Sequence, residues 1–148
     1  MKHYPPPSRP SAPPVRIPRF HPVPLVRRAD GWTIERQARF IGFLAQTRSV
    51  AAAARAVSMG RESAYRLRKL AGAAGFAAAW DAALGKPHTP VDLASDKATG
   101  LDVGYRYQAG LVRTVMRGGK YVRSQREPDH SAHLRYLARL DRAGGLAE

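Results

Sequence analysis

Apolar residues recur at helical spacing between Thr33 and Leu84, and after Leu101 they give way to short alternating runs. In "TIERQARFIGFLAQ", Ala38, Ile41 and Leu44 line one face, broadened by Phe40 and Phe43, while Thr33 is a good N-cap and Glu35 suits the first turn. This predicts a helix over 34–46. Ser49 caps a second, short helix over 50–57, and a third follows "SMG" over 61–70. A fourth, over 76–84, carries Phe76, Trp80 and Leu84 at i, i+4 and i+8, and "GKP" ends it with a glycine and a proline. Beyond Leu101, "VGYRYQ", "LVRTVMR" and "KYVRSQR" are separated by "AG" and "GG", a pattern that predicts strands joined by hairpins. Gly118-Gly119 is the stronger turn, because both positions take positive φ without strain. A two-residue turn there pairs Arg117 with Lys120, Val115 with Val122 and Arg113 with Ser124. Alternation then gathers Arg113, Arg117, Lys120 and Arg126 with the two valines on one face. The chain closes with a helix capped by Asp129, whose Leu134, Leu137 and Leu140 are set for core packing or for a dimer interface.

Proline changes the picture at the other end. Nine of the twelve prolines fall within residues 1–28, where the missing amide hydrogens and the restricted preceding residues oppose helix and central strand alike. The expectation is a disordered, polyproline-like arm, made basic by Lys2, Arg9, Arg16, Arg19, Arg27 and Arg28. The expected organisation is thus an arm (1–28), a helical domain (29–86), a linker (87–100), a hairpin region (101–127) and a C-terminal helix (128–143).

Charge then narrows the partner. With 25 Lys and Arg against 11 Asp and Glu, the net charge is +14, a field that captures polyanions, nucleic acid first among them. The absence of cysteine excludes disulfides, thiol nucleophiles and Cys-ligated zinc. No apolar run approaches the ~20 residues that span a bilayer, so the expectation is a soluble, cytoplasmic, nucleoid-associated protein.

The stretch "AAAARAVSMGRESAYRLRKL" carries the sharpest signal. Ala53 and Ala54 permit a close helix crossing, Gly60 gives a permissive turn, and Ala64 with Leu67 forms a buried pair that Leu70 continues. Arg61, Glu62, Tyr65, Arg66 and Lys69 then project from the free side. Arginine can grip guanine bidentately, and Glu62 can accept from cytosine or pair with Arg66 one turn on.

"SVAAAARAVSMGRESAYRLRKL" resembles the helix-turn-helix of many small bacterial and phage DNA-binding proteins. More broadly, Ala29 to Leu84 is similar to a group of uncharacterised bacterial helix-turn-helix proteins, some of them like the DNA-recognition subunit of phage terminases. The sequence departs from that pattern where the family has glycine in the turn and serine as the cap: Ser58 and Gly60 stand exchanged. The resemblance implies a mainly α fold with a three- to four-helix helix-turn-helix core, to which the pattern beyond Leu101 adds a wing-like C-terminal β-hairpin and a final helix. It implies a sequence-specific binder of double-stranded DNA acting as a transcriptional regulator, with a recognition helix over about 61–70. Arg113, Arg117 and Lys120 would act as the wing, and the protein would be suited to a homodimer. A phage-type packaging or recombination accessory is the alternative role, and a basic RNA-associated protein the next.

Enzyme chemistry lacks a constellation. Asp129, His130 and His133 could ligate a metal, but there is no HExxH and no further ligand. No phosphate-binding glycine loop occurs, and Asp92, Asp96 and Asp102 match no catalytic arrangement. No enzymatic activity, cofactor or metal is expected.

Overall fold

The computed structural model describes residues 16–25 and 31–145. Its elements are α1 (Ile34–Thr47), α2 (Val50–Ala56), α3 (Arg61–Arg68), α4 (Ala74–Ala83), α5 (Asp96–Thr99), α6 (Val103–Ala109), β1 (Leu111–Arg117), β2 (Lys120–Glu127) and α7 (His130–Gly145). The chain is a helical core with a C-terminal hairpin and a final helix, and it is richer in short helices than its pattern predicted.

Local chemistry places the first helices. Thr33 Oγ1 accepts from the Arg36 amide and Ser49 Oγ from the Ala52 amide, so each side chain satisfies a donor that its helix leaves open. The core forms where α1, α2, α3 and α4 meet. Phe40 lies 5.0 Å from Trp80 and 6.1 Å from Phe76 between ring centroids, and Ile41, Leu44, Ala53, Ala54, Ala64 and Leu67 are buried around them. Burying each of the large side chains contributes roughly 1.5–3 kcal/mol.

The turn between α2 and α3 keeps the exchanged residues in exchanged roles. Ser58 takes φ 59°, the left-handed conformation that glycine accepts at less cost. Gly60 sits at the N-cap of α3 with no side-chain bond, while Ser63 Oγ donates to the Gly60 carbonyl and accepts from the Trp32 indole. Ser58→Gly should therefore raise stability by about 0.5–1 kcal/mol, the left-handed strain relieved less the added unfolded-state entropy. Thermal unfolding of the two proteins measures it. α3 ends at Arg68, so Lys69 is its C-cap rather than a helical residue, and Leu70 is exposed instead of continuing the buried pair.

Two expectations for the flanks are corrected. Residues 16–25 are not a disordered arm. Phe20 is fully buried, edge-on to Phe76, and exchanges both backbone hydrogen bonds with Val112. Gln37, itself buried, accepts from the Val23 amide and donates to the Val23 and Trp32 carbonyls, so a side-chain amide stands in for a partner strand. The basic residues Lys2, Arg9, Arg27 and Arg28 lie outside the described residues. The segment "VGYRYQ" is not a strand but most of α6. Asp102 caps it through the Gly104 amide, and its buried face includes Val103 and Arg106. The Arg106 guanidinium is held by the Leu93 carbonyl and by Asp96 at the start of α5, which gives the expected linker a helix of its own. Tertiary anchoring here overrides the strand preference of valine and tyrosine.

The Gly118-Gly119 turn forms as expected, with φ of 57° and 78°, and Arg117 pairs with Lys120. One pair further on the register departs. A bulge at Val122 on β2, opposite Val115 and Met116 of β1, leaves that residue unpaired, so Val115 opposes Arg123 and Arg113 opposes Gln125. The bulge exchanges two arginines: Arg123 joins Arg113, Arg117 and Lys120 on the outer face, and Arg126 moves to the other face, where its still exposed side chain donates to the Ala109 carbonyl. The inner face packs on α1, where the Tyr121 ring covers Gly42 and meets Phe43 edge-on at 5.2 Å. A β-carbon at position 42 would overlap that ring.

α7 rests on α6 through Ala132, through His133 and Tyr136 stacked on Tyr107, and through an Arg139–Asp102 ion pair of 3.1 Å. Leu134, Leu137 and Leu140 remain 69%, 43% and 48% exposed, which rules out core packing for the stripe among the described residues. No helix among them is long and apolar enough to cross a membrane.

Candidate nucleic-acid interface

The free side of α3 follows from what its other side buries. Ala64 and Leu67, three apart, are packed against the core, so the helix can rotate no further without exposing them. Arg61, Glu62, Tyr65 and Arg66 are left exposed and together with Gly60 and Ser63 line an open cleft of about 590 Å³. Four of the five residues predicted on this helix thus converge. Lys69 is exposed but lies outside the cleft lining.

Glu62 makes no ion pair with Arg66 among the described residues, which leaves both groups available to a ligand. The Tyr65 ring leans on Trp80 at 5.1 Å and carries the Arg61 guanidinium over its face at 5.8 Å, so packing fixes the tyrosine and the tyrosine steers the arginine. Arg68, on the same helix, is spent structurally. It grips both Asp81 carboxylate oxygens, at 3.0 and 3.3 Å, above the Trp80 ring.

The hairpin residues form a separate group. Arg117 and Lys120 stand at the tip without a carboxylate partner among the described residues, whereas Arg113 lies 3.5 Å from Glu127, which also receives Arg19 at 3.1 Å. Arg113 is therefore partly neutralised, and Arg123, which the predicted register places on the opposite face, takes its place among the exposed cations. Only the bulge reveals this, and nothing local in "KYVRSQR" marks it.

Asp129, His133 and Tyr105 have structural partners. Asp129, weighed as a metal ligand, accepts from the Ala132 amide at the start of α7 and faces His21 Nε2 at 2.6 Å; His133 is stacked on Tyr107. No cluster of three His, Asp or Glu residues arranged for a metal occurs among the described residues. Burial pushes the Tyr105 hydroxyl up to about 12, and that group donates to the Pro22 carbonyl. No protein-family model, curated protein or solved structure matches the chain.

Proposed function

We infer that the protein binds double-stranded DNA by sequence, using α2 and α3 as a helix-turn-helix and the hairpin as a wing, and that it serves as a transcriptional regulator. The observation that carries this reading is the face of α3. Two arginines, a glutamate and a packed tyrosine project from a helix whose opposite side is locked into the core. Arginine and glutamate on a protruding helix have the donors and acceptors that distinguish base pairs in a major groove. The outer hairpin face adds cations for phosphate, and the leucines of α7 offer a surface for a second copy, which would join two half-sites.

Duplex affinity measured against salt tests the reading. Each neutralised phosphate adds about −0.9 to the log–log slope, and the four cations of the hairpin face alone give a slope of about −3 or steeper. A flat response contradicts DNA binding.

A further inference from the structure

A second cleft, of about 520 Å³, lies on the far side of the Arg61–Tyr65 ridge, with Arg48 and Lys86 on its opposite wall. Among the described residues, three cations (Arg48, Arg61 and Lys86) line it and no carboxylate does. None of the three is ion-paired among the described residues, although Arg19, Arg68, Arg106, Arg113 and Arg139 all are. Like charges gathered without a counter-charge repel one another, and an anion relieves the repulsion.

Arg48 is also built into place. It ends α1 with φ 57°, a conformation that glycine would take at less cost, and its Nε donates to the Ala45 carbonyl at 3.2 Å. Its Nη1 lies across the exit of α4, 3.0 Å from where a β-carbon on Gly85 would stand. The guanidinium is thus held at the junction of α1 and α4, facing the start of α3.

The geometry points to a phosphate seat, in which Arg48 and Lys86 hold one phosphodiester of the DNA backbone beside Arg61 and the bases that α3 contacts. This rests on the DNA-binding reading and extends it: the seat sets the register of α3 on the duplex and carries no sequence information itself. Arg61, shared by both clefts, is the hinge between positioning and reading.

The test compares wild type with a double variant, Arg48→Gly and Lys86→Ala; glycine suits the left-handed backbone, so the fold is kept, and circular dichroism verifies it. Duplex affinity should fall on the order of tenfold, equally for preferred and scrambled sequences, and the salt slope should lose about one unit. A double variant with wild-type affinity and slope overturns the seat while leaving DNA recognition standing. Wild type that shows no salt-dependent duplex binding overturns the parent reading and the seat with it. A second arm titrates inorganic phosphate into wild type while NMR follows the residues of the cleft. Weak, non-saturating shifts fit a backbone phosphate, whereas saturation below millimolar phosphate would assign the cleft to a free phosphate compound and overturn the DNA assignment.

Discussion

Replacing Arg61 and Arg66 together by alanine should abolish most of the preference for a cognate duplex over a scrambled one while leaving the fold intact. Both side chains are exposed, and neither is ion-paired among the described residues, so their removal exposes no core and strands no buried charge. If each arginine makes a well-formed bidentate contact to a base, discrimination falls by about 1–3 kcal/mol apiece. Competition titrations with the two duplexes read the loss directly. Non-specific affinity should fall much less, because the hairpin cations remain. Should the double variant keep its sequence preference, α3 is not the reading element.

Asp129→Ala should be strongly destabilising. The carboxylate does two jobs: Oδ1 accepts from the Ala132 amide at the start of α7, and Oδ2 bonds His21 Nε2 across 108 residues of sequence. Losing the cap costs about 0.5–2 kcal/mol, and stranding the buried imidazole N–H costs about 1–3 more. Chemical denaturation should therefore show a loss of roughly 2–4 kcal/mol. The same pair makes stability depend on pH. A carboxylate only accepts, so Nε2 carries the His21 proton, and Nδ1 is buried with no partner among the described residues. A second proton would place an N–H there with no acceptor. Burial holds the His21 pKa below its usual 6.5, against the raising effect of Asp129 and together with the nearby Arg106 charge. The unfolded chain then binds more protons than the native one just below pH 6.5. His21's contribution is complete above that value and fades as the pH falls through the lowered native pKa. Denaturation midpoints from pH 8 to pH 5 should decline, and His21→Gln should flatten that decline.

What could be read ahead of the structure depended on whether the determinants were local. Thr33 and Ser49 announce their helices because a cap acts within three residues, and the Gly118-Gly119 turn is fixed by its own two dihedrals. From the residues alone Gly60 reads as the turn; the structure puts the left-handed turn at Ser58 and Gly60 at the cap of α3. Where the decisive partner is distant, the pattern misled. Phe20 and His21 belong to a proline-rich run that reads as an arm, yet Phe76, Val112 and Asp129 bring it into the core. Valine and tyrosine made "VGYRYQ" look like a strand, but Asp102 at its start and the grip of Asp96 on Arg106 make it a helix. The bulge at Val122 answers to the seating of Tyr121 on Gly42 of another element, so the exchange of Arg126 for Arg123 left no trace in the local alternation. The α3 face was legible because Ala64 and Leu67 alone orient it. Arg48 and Lys86 were not, since 38 residues part them and only the fold makes them neighbours of one cleft.

Amide NMR of the labelled protein titrated with its preferred duplex shows whether α3 reads DNA. The largest shifts should fall between Gly60 and Arg66, with smaller ones at Arg48, Lys86 and the 117–120 turn. Shifts confined to the hairpin, with α3 unmoved, would contradict that reading.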